Sequence, residues 1–125
     1  MNKHDIMRKV NAAPFGKDII LMHGAAMVML GVRETTNDID CQIDLEKYPA
    51  LMLTGKECSD GVTRYEWDAF DFGDGKLREV EYFTVDGIKC QSLGSIVEDK
   101  QKLGRPKDIA AIKEINEFLK RDNHV

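Results

Sequence analysis

Asp38-Ile39-Asp40-Cys41-Gln42-Ile43-Asp44 is the stretch on which the reading of this chain turns. Polar and apolar residues alternate through it, the two-residue period of a β-strand with one buried face. Ile39, Cys41 and Ile43 therefore point into a core, and Asp38, Asp40, Gln42 and Asp44 point the other way. At a rise of about 3.3 Å per residue, Asp38 and Asp40 stand roughly 6–7 Å apart. That spacing lets two carboxylates converge on one magnesium ion that also holds substrate phosphates. A solvent-facing amphipathic strand would show the same alternation, so the neighbouring segments decide its meaning.

Upstream, Asp18-Ile19-Ile20-Leu21-Met22 runs into His23-Gly24-Ala25-Ala26. Ile19 to His23 reads as a buried strand, Gly24 as a tight turn, and Ala25 to Leu30 as a helix that ends near Gly31. A turn with almost no side chain exposes backbone N–H groups at a helix start, where an anion is favoured. His23 reads as a hydrogen-bonded structural histidine, and Met22, Met27 and Met29 as core packing.

Downstream, Leu45 to Leu53 reads as a helix with Pro49 inside it, and 54–61 as a loop. Val62 to Phe72 and Arg78 to Val85 read as two strands joined by the hairpin Gly73-Asp74-Gly75-Lys76. Asp86-Gly87 is a second turn into a short strand, Ile88 to Cys90. Val80-Glu81-Tyr82 sets an acid between apolar residues, which marks Glu81 as a third carboxylate near Asp38 and Asp40. Glu79 shares its face by parity and stands as the alternative. Three crowded acids repel one another unless a cation sits among them. Tyr65 and Trp67, alternating on the first of these strands, read as packing residues.

Asn2 caps a first helix carrying Ile6, Met7 and Val10, and Pro14-Phe15-Gly16 breaks it. Ser92 caps a helix over Leu93 to Leu103. Pro106 opens the last helix, to about Arg121, with Ile109, Ile112, Ile115 and Leu119 as its buried stripe and a frayed tail from Asp122 to Val125. Around the junction of these helices lie Lys100, Lys102, Arg105 and Lys107, a cluster of cations in a chain of net charge −4. They would offset triphosphate charge or form a solvated helix end.

The 125 residues and 42% hydrophobic content fit a single domain, 1–125, of α+β (α/β-like) class: a small mixed sheet with helices packed on it. The acidic balance argues against non-specific nucleic-acid binding. The three cysteines form no disulfide or zinc pattern and read as thiols in a reducing cytosol. No secretory signal is visible, and the longest apolar run, Ala25 to Leu30, is far short of a membrane span. The expectation is a soluble cytoplasmic protein.

Taken in order, these segments resemble the nucleotidyltransferase superfamily (the DNA polymerase beta-like fold). The resemblance is closest to its small bacterial and phage branch of abortive-infection toxins and minimal nucleotidyltransferases. The shared pattern is Leu21-Met22-His23-Gly24-Ala25-Ala26, then Gly31 through Asn37 into Asp38-Ile39-Asp40-Cys41, and finally Lys100 to Asp108, which is similar to that branch's Lys-x-x-x-Gly-Arg-Pro-Lys-Asp signature. The resemblance implies an enzyme that moves a nucleoside monophosphate from a nucleoside triphosphate such as ATP to an acceptor hydroxyl, with Mg2+ or Mn2+. It implies Asp38, Asp40 and Glu81 as metal-binding and catalytic acids. Gly24 and Ala25 would cradle phosphate through their amides, with Arg33 and Thr36 near the nucleotide. Lys100 would lie by the phosphates, supported by Arg105 and Asp108. Ala25 stands where the branch usually has Ser or Gly, and Ala111 where a second Asp commonly follows Asp108. A non-catalytic nucleotide- or partner-binding module of the same fold is the second reading, including one half of a toxin–antitoxin pair. A homodimer or a small helical protein is the partner either reading would admit.

Overall fold

The computed structural model describes residues 1–122. The expected fraying of Asn123 to Val125 lies outside the described residues. The described residues build one seven-stranded mixed sheet and five α-helices. Helix α1 (Lys3–Ala12) starts at a capping box, in which the Asn2 side chain accepts from the Asp5 N–H and the Asp5 carboxylate accepts from the Asn2 N–H. It buries Ile6 and Val10 completely. Strand β1 (Ile20–Leu21) follows, then α2 (His23–Met29) and β2 (Ile39–Gln42). The expected break between strand and helix is tighter than a Gly24 turn: His23 is already the first helical residue, at φ +48°.

Pro49 divides the expected Leu45–Leu53 helix. Leu45–Lys47 forms a 3-10 turn capped by Asp44, and α3 (Pro49–Met52) starts anew with proline at its first position, where no N–H is needed. Strand β3 (Lys56–Glu57), inside the expected loop, pairs with β4 (Thr63–Trp67). The expected single strand Val62–Phe72 is a hairpin of β4 and β5 (Phe70–Gly73). It turns at Asp68, whose φ is +51°. Gly73 to Lys76 does not join two paired strands. Instead, residues 74–81 cross to the far side of the sheet, where β6 (Tyr82–Val85) pairs with β7 (Ile88–Gln91).

The strand order is β3-β4-β5-β2-β1-β7-β6, so β2 is the middle strand. It runs antiparallel to β1 and parallel to β5, with Asp40 opposite Asp71. Helix α2 packs on β2 and β7, and α1 packs on α2. Helices α4 (Leu93–Leu103) and α5 (Pro106–Asp122) pack on each other across Gly104, which closes α4 in the left-handed region at φ +62°. The buried stripe of α5 is Asp108, Ala111 and Ile115. The expected Ile109 and Leu119 face solvent, at 62% and 42% exposure. A buried polar residue leads the stripe, which is why a count of apolar positions alone misplaces it.

The core includes an aromatic cluster in which Phe15 meets Phe70 edge-on, with ring centroids 4.8 Å apart, and contacts Tyr48, Trp67 and Phe72 in the same T-shaped manner. Trp67 is thus a packing residue. Met22, Met27 and Met29 are buried as well. The free thiols Cys41 and Cys90 are buried, and burial pushes the Cys41 thiol up. Among the described residues, no helix is long and apolar enough to cross a membrane.

Candidate functional site

The alternation read from Asp38–Asp44 holds through Gln42. Ile39, Cys41 and Ile43 are 0%, 4% and 3% exposed, while Asp40 faces a cleft on the other side. Asp44 leaves the pattern and caps the 3-10 turn. Asp71 stands beside Asp40 on the parallel neighbour β5, between the buried rings of Phe70 and Phe72. One carboxylate oxygen from each of Asp38, Asp40 and Asp71 can be chosen so that all lie within 4.8 Å of one another.

Asp71, not Glu81, is therefore the third acid. Glu81 is exposed and precedes β6 at the sheet edge, with its carbonyl accepting from the Ser92 N–H. Strands lie about 4.8 Å apart, so three steps across the sheet separate that strand from β2 by roughly 14 Å. Glu79, the alternative, sits on the exposed crossing segment and lines the cleft wall without joining the cluster. The signal that marks Asp71 is present in the sequence. Phe70-Asp71-Phe72 is an acid between two large apolar residues, the same pattern that singles out Glu81.

The neighbouring acids disfavour the charge of Asp40. Asp40 is pushed up to about 6, first by burial and then by Asp38 and Asp71, against which Lys100 and Lys107 pull down. Asp71 has one oxygen fixed by the Gly73 N–H at 2.8 Å. The donor set consists of hard carboxylate oxygens from β2, the residue before it, and β5, which suits Mg2+ or Mn2+ and not a soft metal.

The start of α2 lies against this cluster because the Met22 N–H donates to the Asp40 carbonyl at 2.7 Å. The helix's own bonds begin with the Ala26 N–H to the Met22 carbonyl, so the amides of Gly24 and Ala25 precede the ladder. Gly24, Arg33 and Thr36 come together as expected. A Cβ on Gly24 would stand 3.0 Å from Thr36 Oγ1 and 3.2 Å from Arg33 Nη1. Ala25 is fully buried, backbone included, so the expected phosphate contact from its amide is covered, and of the pair only Gly24 is partly open. Arg33 is already held by Glu114 of α5, at 2.8 and 3.3 Å.

Lys100 and Arg105 have different situations. Lys100 is 3.5 Å from the fully buried Asp108 and close enough to lower the pKa of Asp40. Arg105 is committed to Asp108, donating from Nε at 2.7 Å and Nη2 at 3.2 Å. Its guanidinium holds the Asp108 carboxyl down at about 2. Arg105 is thus an anchor of the α4–α5 corner and is not aimed into the cleft. Lys107, beside it, is the further cation that acts on Asp40.

His23 departs from its expected role. Its backbone N–H donates to Gln91 Oε1 at 3.1 Å, but its buried Nδ1 has no hydrogen-bond partner among the described residues. Burial and Lys100 both depress its pKa, so the imidazole is neutral at pH 7. Gln91, itself fully buried, uses its amide nitrogen to bind Ser95 Oγ at 2.9 Å and Asp99 Oδ2 at 2.8 Å. One side chain thereby ties the β1–α2 corner to α4. Comparisons of the chain with protein-family models, with curated proteins and with solved structures return no match.

Proposed function

We propose that the chain is a divalent-metal-dependent nucleotidyltransferase that moves a nucleoside monophosphate from a triphosphate to an acceptor hydroxyl. The observation that carries this reading is the group of Asp38, just before β2, with Asp40 and Asp71 on the adjacent parallel strands β2 and β5, beside a helix start that carries Gly24. Folding alone gives no reason to crowd three acids on one sheet face, and burial of Asp40 makes the arrangement costly. Asp38, Asp40 and Asp71 would hold Mg2+ or Mn2+, which when bound neutralises phosphate charge and stabilises the entering and leaving oxygens.

The protein's own groups supply positioning. The Gly24 amide, with Thr36 and Lys100, would orient the triphosphate, and the rigid sheet would hold the acceptor oxygen in line. That oxygen bonds to the α-phosphorus as the bond to the β-phosphate oxygen breaks and pyrophosphate leaves. The acceptor's proton passes to the Asp71 oxygen left free by Gly73. The test is transfer of label from α-labelled nucleoside triphosphates to a cell extract in magnesium. Label that appears with magnesium and disappears with chelator supports the reading; tight binding of the triphosphate without any transfer replaces it with a binding module. The engagement of Arg33 by Glu114 favours that second reading, since it removes a cation from the nucleotide.

Gly24→Ala provides an independent check of the phosphate cradle. The new methyl would push on Thr36 Oγ1, which donates to the Asp38 carbonyl, and on Arg33, which Glu114 holds, so each must give by a few tenths of an ångström. The close approach of phosphate would also be lost. The expected outcome by calorimetry is about tenfold weaker binding of a magnesium–triphosphate analogue, with a melting temperature lower than the parent's by only about 2–5 °C.

A further inference from the structure

The segment 74–81, which crosses the sheet between β5 and β6, has no strand pairing, yet one of its residues is fixed as firmly as in a ladder. Gln42, buried on β2 two residues after Asp40, donates from Nε2 to the Arg78 carbonyl at 3.1 Å and accepts the Arg78 N–H on Oε1 at 3.0 Å. The Arg78 side chain is fixed as well. Asp74 binds both terminal nitrogens, at 3.2 and 2.7 Å. Arg78 lines the wall of an open cleft of about 840 Å³ whose lining includes Asp40 and Asp71, and Asp99 on α4 acts on its guanidinium electrostatically. Arg64, Lys76 and Lys102 line the same cleft. The same lining carries five carboxylates, Asp40, Asp71, Asp74, Glu79 and Asp99, and Arg64 is paired with Asp60, so the cleft is mixed in charge and a phosphate entering it needs a cation held in place.

We propose that Arg78 is a phosphate receptor, pre-aimed by Gln42 and held in reserve by Asp74, that grips a phosphate of the nucleotide or of the acceptor. The inference rests on the nucleotidyl-transfer reading for the identity of the ligand, but not for the binding itself. A planar guanidinium binds phosphate through two parallel hydrogen bonds, and an exposed ion pair such as Arg78–Asp74 is exchanged for it at little cost.

Inorganic triphosphate is titrated into the full chain, with and without magnesium, and the Arg78 guanidinium is followed by nuclear magnetic resonance. Inorganic phosphate is then titrated into the protein saturated with magnesium and a non-hydrolysable triphosphate. Arg78→Gln is expected to weaken one of the two by about 10- to 100-fold, and Arg78→Lys by less, because the fork is lost while the charge stays. Loss in the triphosphate titrations assigns the phosphate to the nucleotide; loss only in the second assigns it to the acceptor. Gln42→Leu keeps the charge and is expected to reproduce part of the loss. Asp74→Asn is expected to strengthen binding a few-fold, which a merely structural ion pair would not do. Unchanged binding in Arg78→Gln in every titration overturns the proposal. Failure of magnesium-dependent label transfer overturns the catalytic reading but leaves the triphosphate result standing.

Discussion

Asp40→Asn is expected to make the metal-free protein more stable while abolishing its response to magnesium. In the parent, a partly buried carboxylate carries its charge beside Asp38 and Asp71, and its pKa stands at about 6. Replacing it with a neutral amide of the same shape removes both the desolvation and the repulsion. After allowance for solvent screening of a half-buried group, the gain at pH 7.5 is of order 1–2 kcal/mol, or a melting temperature higher by roughly 3–8 °C. Ten millimolar magnesium then has opposite effects on the pair. A ligand that binds only the folded state stabilises by mass action, about 1.4 kcal/mol at ten times its dissociation constant, so the parent should gain and the variant should not. Label transfer should fall by at least about a hundredfold. Scanning calorimetry with and without magnesium measures the crossing. A variant less stable than the parent in chelator would mean that Asp40 is paired and not repelled.

The same group sets a pH dependence with a definite sign. The folded-state pKa of Asp40 is raised above the ordinary value of 3.8, so between those two values the folded state binds more protons than the unfolded chain. Stability from this group is therefore greatest below pH 3.8 and falls as pH rises through about 6. The metal-free parent should lose this increment between pH 4 and pH 7, and Asp40→Asn should not. Metal binding runs the other way, weakening below about pH 6 as the carboxylate protonates.

The local chemistry of the fold is legible in the sequence, and its long-range pairing is not. The Asn2 and Ser92 caps, the Asp38–Gln42 alternation and Pro106 at the start of α5 each depend on neighbours a few residues away, and each appears in place. The hairpin expected at Gly73–Lys76 fails because glycine and aspartate make a turn without deciding which strands it serves. Asp68, at positive φ without being glycine, hides the true hairpin turn. That one error moves the third acid. Joining Val62–Phe72 to Arg78–Val85 puts Glu81 beside β2, whereas the parallel pairing of β2 with β5 puts Asp71 there. Parallel neighbours are joined by crossovers with no turn signature, so the Asp40–Asp71 partnership does not follow from spacing. Arg105 and Asp108 read as a unit in the sequence, but only their burial reveals that the arginine is spent on the aspartate.

Asp71→Asn tested against Glu81→Gln turns that topological difference into a measurement. Both changes remove one negative charge from a carboxylate flanked by apolar residues, so sequence context does not separate them. The fold does: Asp71 lies opposite Asp40, and Glu81 lies exposed beyond β1 and β7. The amide introduced by Asp71→Asn could still accept from the Gly73 N–H, which preserves the β5 end, but it offers the cation and the acceptor's proton one weak carbonyl oxygen. The expected loss of label transfer is about a hundredfold or more, with magnesium affinity reduced and the fold intact. Glu81→Gln should stay within about twofold of the parent in both, since an exposed charge that far away is screened within a Debye length or so. Combining Asp40→Asn with Asp71→Asn should cost little beyond the worse single change, because both carboxylates would hold the same proposed cation. If Glu81→Gln alone abolished transfer, the reacting groups would lie at the β6 edge, and the cluster on β2 and β5 would be a bystander.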